Sequence, residues 1–212
     1  MIFENQRLTW SLVRMLDKAL QDMTELEQNI KSYFGVIQQD DLKKISSLFH
    51  LSTITKGDYF LKTGKFCDKL SFIQSGLLRI YANSDDKEVT QWISKQGYFV
   101  TDLSSLLFQT PARWTIQALT DTVLYTINRE DYIKIGHLVP KWHELEKLFI
   151  AKCFTTIEDR IFTHLSMTAE ERYHLFFENN RELFNQVPLQ YIASMLGMTP
   201  ETFSRIRKKQ VL

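Results

Sequence analysis

QYIASMLG (190–197), followed after Met198 by TPETFSRIRKK (199–209), is the stretch on which the fold turns. The first segment predicts a short helix closed by Gly197, because glycine accepts the positive φ of a helix-ending turn. Thr199 can cap a second helix through its hydroxyl, and Pro200 suits the first helical position, where its missing N–H costs nothing. Phe203 and Ile206, three apart, share the inward face of that helix, and Ile192 and Leu196 do the same on the preceding one. Ala193, four residues before Gly197, is small where the two helices must approach closely. The spacing predicts a helix-turn-helix. The plainer alternative, an ordinary helical hairpin, leaves the outward face unexplained. Glu201, Ser204, Arg205 and Lys208 fall together on that face, with Thr199, Thr202, Arg207 and Lys209 beside them. Arg can donate to guanine O6 and N7, and Glu can accept from cytosine N4. Arg207, Lys208 and Lys209 suit phosphates. The expected partner is double-stranded DNA.

The rest of the chain hides this local charge. Over 212 residues, 26 Lys and Arg face 25 Asp and Glu, for a net charge of +1. From Glu201 onward there are four basic residues and one acidic. Hydrophobic residues make up 44% and charged residues 24%, which fits a globular chain of one large or two small domains and excludes a disordered tail. Two cysteines, Cys67 and Cys153, are too few for a disulfide scaffold. His50, His137, His143, His164 and His174 are scattered, so no metal site is expected. No Gly-rich phosphate loop or nucleophile elbow is present. The start, MIFENQRLTW, lacks a basic region followed by an apolar one, and no apolar run reaches the ~18 residues of a membrane span. A cytoplasmic protein with no membrane partner is expected.

Working upstream, the apolar pattern of Trp142, Leu145, Phe149, Cys153 and Thr156 predicts a long helix. Leu148, Ile150, Phe154 and Ile157 lie elsewhere around it, so it must be covered on more than one side. One side can meet the strand domain; a symmetric copy is the simplest cover for the other. Asn128 with Asp131 reads as the start of an earlier helix. Gly57, Gly64, Gly76 and Gly97 cluster in the middle of the chain, which predicts strands and turns there. The strands read as KLSFIQ (69–74), LLRIYAN (77–83), EVTQWI (88–93), RWTIQAL (113–119) and TVLYTI (122–127), a sandwich or barrel pattern. DDLKKISSLFH (40–50) reads as a short helix. Leu12, Leu16, Ala19, Met23, Leu26 and Ile30 place one apolar stripe on a helix over 8–30, docked on its own domain or, less well supported at about three heptads, self-associating as a coiled coil.

TAEERYHLFF (168–177), VPLQYIASMLG (187–197) and TPETFSRIRKK (199–209) resemble the Crp/Fnr family of bacterial transcription regulators, in the wingless form common in Bacteroidetes. KGDYFLKTGKFCDKLSFIQSGLLRIY (56–81) and the turn at Gly97-Tyr98-Phe99 look like that family's cyclic-nucleotide-binding β-roll. The resemblance implies an α+β fold: an N-terminal double-stranded, jelly-roll-like β-roll sensor with its leading helix over 1–137, a dimerisation helix over 138–160, and an all-α helix-turn-helix domain over 161–212. The implied dimer seam is Trp142, Leu145, Phe149, Cys153 and Thr156. Glu201 and Arg205 match the pair that reads bases in the family. Pro200 stands where many members carry a further Arg, so a different operator is expected. With the chain stopping at Leu212, no β-wing is expected after the recognition helix. RNA polymerase is a further candidate partner.

The sensor departs from the cAMP-binding pattern. Members that bind cAMP hold the ribose with a Gly-Glu pair and the phosphate with an Arg-Ser pair. Thr101-Asp102, followed by Leu103, stands at the first and Ala112-Arg113 at the second. Thr adds bulk, Asp is short, and Arg arrives one position late, which on an extended segment turns it to the opposite face. A buried phosphate without its cation is costly. The expectation is no cofactor and an effector other than cAMP, if any, with Thr101, Asp102, Leu103, Ala112 and Arg113 as candidate pocket residues. The plainer reading makes Asp102 and Arg113 surface or loop charges. The rivals are a cAMP-dependent DNA-binding module, a cyclic-nucleotide module without DNA activity, an enzyme built on the β-roll, and a helical protein-interaction domain. No convergent acid or base supports the enzyme.

Overall fold

The computed structural model describes residues 25–35, 37–85 and 87–209. Its helices are α1 (25–34), α2 (Gln39–Ser46), α3 (Leu103–Phe108), α4 (Arg129–Leu138), α5 (Trp142–Ser166), α6 (Ala169–Asn179), α7 (Leu183–Gln186), α8 (Leu189–Met195) and α9 (Pro200–Lys209). Its strands are β1 (His50–Ile54), β2 (Tyr59–Leu61), β3 (Lys69–Ser75), β4 (Leu78–Ser84), β5 (Lys87–Ser94), β6 (Phe99–Val100), β7 (Thr115–Ala118) and β8 (Thr122–Asn128). They form two antiparallel four-stranded sheets, β1-β8-β3-β6 and β2-β7-β4-β5. The fold is mixed α+β, as the sequence predicts: an antiparallel β-roll, a long helix and a set of C-terminal helices.

Each strand predicted from sequence is present, while β1, β2, β6 and α3 were not anticipated. The β3–β4 turn needs Gly76: at its φ of +98°, a Cβ there would lie 2.5 Å from Thr122 Oγ1 and 2.6 Å from the Asp121 carbonyl. The two sheets bury Phe60, Leu61, Ile73, Leu78, Ile116 and Leu124 between them. The outer face of the first sheet, through Leu70, Phe72, Tyr125 and Ile127, is covered by α1, α2, α4 and the first half of α5. Leu26 and Ile30 of α1 are fully buried there; Leu12, Leu16, Ala19 and Met23 lie outside the described residues.

α5 has 25 residues and so extends about 37 Å. Here the expected dimer seam is corrected. Trp142, Leu145 and Phe149 are buried in the chain's own core against Phe34 and cannot face a second copy. Cys153 is half-buried against the same core and Thr156 is exposed. The open apolar stripe lies on another face of the helix: Ile150, Phe154, Ile157, Ile161 and Leu165, at spacings of four, three, four and four, are 41–81% exposed. Those spacings put all five on one side.

The C-terminal helices close on a third core of Tyr173, Leu183, Ile192, Ala193, Phe203 and Ile206, which also takes in Leu77 and Ile93 from the roll. α6 begins with a capping box. The Thr168 hydroxyl accepts from the Glu171 N–H, and the Glu171 carboxylate accepts from the Thr168 N–H at 2.7 Å.

Candidate functional site

The terminal helices follow the sequence reading closely. Gly197 has a φ of +69°, as a tight helix-ending turn requires. The Thr199 hydroxyl accepts from the Thr202 N–H at 3.2 Å and caps α9. Ile192, Ala193, Leu196, Phe203 and Ile206 are all buried, so α8 and α9 pack through the expected positions. The opposite face of α9 is open. Glu201, Ser204, Arg205, Lys208 and Lys209 surround one surface concavity. Arg207 is exposed but outside it; Thr199 and Thr202 are engaged with each other at the helix start. Lys209 also reaches Glu170 of α6 at 3.6 Å. The Glu201 carboxyl is held below the usual carboxylate range, first by its own backbone N–H and then by the Thr199 hydroxyl. It is therefore an acceptor at neutral pH, beside a guanidinium and two ammonium groups.

The candidate residues of the sensor are brought together, but by one another's backbones. Thr101 Oγ1 donates to the Lys69 carbonyl at 2.9 Å. Asp102 is 4% exposed, which corrects its assignment as a surface charge. It caps α3 by accepting the Ser105 N–H at 3.0 Å, and its second oxygen accepts the Arg113 N–H at 3.2 Å. Ser105 Oγ in turn accepts the Cys67 N–H at 2.7 Å. Both Asp102 oxygens thus hold protein amides. Leu103 opens α3, and Ala112 is buried with its N–H on the Lys65 carbonyl. Arg113 is exposed, with its guanidinium 5.0 Å from the Trp114 ring.

Sequence reasoning missed the residues that join the roll to the terminal helices. Arg79, in β4, is 1% exposed. Its guanidinium lies 3.6 Å from the Tyr191 ring of α8 and 4.1 Å from the Tyr81 ring. Nε donates to Thr90 Oγ1 at 2.9 Å and Nη1 pairs with Glu88 at 2.6 Å. The Thr90 N–H donates to Ser194 Oγ at 2.9 Å. Arg160 of α5 donates to the Gln91 carbonyl and, at 3.0 Å, to the Met195 carbonyl. A lone Arg inside LLRIYAN was the available signal.

Residues 51–136 match the family model described as Cyclic nucleotide-binding domain. No curated protein matches the chain by sequence. Among solved structures, the chain is similar to cAMP-bound PfPKA-R at 21% identity and TM-score 0.51, covering 54% of this chain and 42% of that one. This chain therefore spans less than half the length of that protein. It is similar to the catabolite activator protein of Thermus thermophilus at 19% identity and TM-score 0.53, over 84% of this chain and 86% of that one. FixK2 of Bradyrhizobium japonicum aligns at 20% identity and TM-score 0.64, over 76% and 83%. The roll, the long helix and the C-terminal helices are thus the fold of catabolite-activator-type proteins. Among the described residues no helix is long and apolar enough to cross a membrane.

Proposed function

We propose that this chain is a sequence-specific DNA-binding transcription regulator of the Crp/Fnr type, cytoplasmic and homodimeric. The observation that carries the reading is the open face of α9, where Glu201, Ser204, Arg205 and Lys208 are exposed opposite the buried Phe203 and Ile206. A helix so mounted can enter a major groove, with Glu201 and Arg205 reaching base edges and Arg207, Lys208 and Lys209 reaching phosphates. The organisation in this reading is a sensor over 1–137, a dimerisation helix over 138–160 and a DNA-binding domain over 161–212. The dimer seam is the stripe from Ile150 to Leu165. Two-fold symmetry then sets half-sites about 34 Å apart on a pseudo-palindromic operator. RNA polymerase is the further partner this class of output calls for.

The cAMP-dependent alternative is weaker. Asp102 spends both oxygens on backbone amides, and the Arg113 guanidinium is exposed rather than buried to meet a phosphate. The roll is accordingly assigned no cAMP; an effector there is of another chemistry.

The test begins by selecting duplexes from a random pool, then measuring salt-dependent binding of single variants. Arg205→Ala is expected to weaken the selected site by about 1–3 kcal/mol relative to random DNA. Lys209→Ala should weaken both alike. An equal loss on both for Arg205→Ala refutes base readout, and no DNA affinity at low salt refutes the proposal. In sedimentation, Ile157→Glu with Ile161→Glu should yield monomers; a persistent dimer would place the seam elsewhere.

A further inference from the structure

A cavity of about 290 Å3 opens where the roll, α5 and α6 meet. Trp92 and Tyr98 come from the roll, Arg160 and His164 from α5, and Arg172 and Phe176 from α6. Its volume falls just below the ~300–1,000 Å3 typical of ligand sites. Its charge is unusual. Arg160 donates to the Gln91 and Met195 carbonyls, and Arg172 donates to the Leu196 carbonyl at 3.0 Å and the Met167 carbonyl at 2.6 Å. Among the described residues neither guanidinium belongs to an ion pair. Lys95, also on the wall, is already paired with Glu182 at 2.8 Å. Asp159 is the one carboxylate of the lining and is exposed.

Carbonyl dipoles orient a guanidinium but do not cancel its charge; both guanidiniums are partly buried, and that of Arg160 also lies 5.1 Å from the Trp92 ring. Arg160 is desolvated enough that burial lowers its pKa from the usual arginine value. Among the described residues, Arg172 Nη2 makes none of the bonds that fix the side chain, which leaves its donors for an incoming anion. The remaining wall is aromatic and aliphatic: Trp92, Tyr98, Phe176 and Leu183. We propose that this cavity is a binding site for a small aromatic carboxylate, its carboxylate on Arg172 with the charge of Arg160 nearby and its ring against Tyr98 and Phe176. The small volume favours a compact ring over a long acyl chain.

The position gives the site a consequence. Its walls include β5, α5 and α6, so an occupant bears on the terminal helices where they rest on the roll. Binding that favours this arrangement stabilises it by mass action and is coupled to whatever the terminal helices bind. That coupling rests on the DNA-binding reading; the site itself does not.

The test is calorimetry on the full chain with phenylacetate and, as its uncharged counterpart, 2-phenylethanol. Phenylacetate should bind once per chain and at least ten-fold more tightly than the alcohol. Arg172→Gln should weaken phenylacetate at least ten-fold and leave the alcohol unchanged. Thr163→Phe fills the cavity from α5 and keeps both cations, so it decides the matter if Arg172→Gln does not fold. It should abolish binding of both probes. Equal affinity for acid and alcohol, no phenylacetate binding at millimolar concentration, or undiminished binding to Thr163→Phe overturns the proposal. A DNA-shift titration with phenylacetate runs in parallel. Binding of the probe without any DNA affinity would sink the regulator reading and leave this site standing.

Discussion

The roll meets helices at two joints, and they are built from different materials. At the first, α1 and the start of α5 lie against β3, β6 and β8. Phe34 stacks on Phe149 at 4.7 Å and on Trp142 at 5.0 Å, and Tyr33 meets Phe99 edge-on at 4.9 Å. At the second, α8 lies against β5. There Arg79 is held between Tyr81 and Tyr191, the Thr90 N–H bonds Ser194, Arg160 reaches two carbonyls, and the roll adds Leu77, Ile93 and the partly buried Leu119 to the shared apolar core. Opening an apolar joint loses its full burial energy. Opening a polar one exchanges protein hydrogen bonds for water, at a net ~0.5–1.5 kcal/mol each. The first joint therefore makes the start of α5 one packed unit with the roll. The second lets the terminal helices be held or released at smaller cost than the first.

The sharpest way to break the comparison is at the first joint. Phe149→Ala leaves a cavity beside Phe34 and should lower global stability by about 3–5 kcal/mol in urea unfolding. A loss below 1 kcal/mol would mean that the aromatic stack is not what binds α5 to the roll. At the second joint, Arg79→Met keeps much of the side-chain volume but removes the cation between two rings and strands Glu88. The expected loss is about 1–3 kcal/mol, read chiefly as faster hydrogen exchange at the Thr90 amide. A global loss as large as that of Phe149→Ala would erase the distinction between the joints. Ser194→Ala removes only the acceptor of the Thr90 N–H and should cost about 0.5–1.5 kcal/mol by the same readout.

The same contrast explains what was legible in the sequence. α8 and α9 are local: caps, glycine, proline and paired apolar positions all lie within 190–209, and both faces could be assigned from them. β1 was missed because HLSTI carries no clean alternation and its partner is remote. Ser52 bonds Thr126 across a separation of 74 residues. The face of α5 that the chain covers itself was not legible for a related reason. Periodicity shows that α5 is apolar on more than one side, but only packing tells which side the chain covers itself; Phe34 claims the face of Trp142, Leu145 and Phe149. Nothing within LLRIYAN says what Arg79 does, because its partner Tyr191 comes from the far end of the chain. Asp102 reads as a loop charge until the amides it caps are counted.

The smallest expected effect separates the joints by pH. Lys95 Nζ donates to Glu182 at 2.8 Å and to Asn180 Oδ1 at 3.0 Å, tying the end of β5 to the start of α7. The Lys95 hydrogen bond, first among its causes, lowers the Glu182 carboxyl below its usual value of 4.5. A carboxyl with a depressed folded-state pKa stabilises the fold above its unfolded pKa. That contribution is lost as pH falls through the lower folded value. Glu182 is half exposed, so salt screens the pair and its worth is about 0.2–1 kcal/mol at most. Wild type and Glu182→Gln should thus differ slightly in thermal midpoint at neutral pH and low salt. The two should converge in acid below the usual carboxylate range, and also in high salt. The apolar joint has no such titrating pair among Phe34, Trp142 and Phe149, so the deficit of Phe149→Ala should persist across the same pH and salt range. A Glu182→Gln difference that survives both acid and salt would show that this contact acts by shape rather than charge.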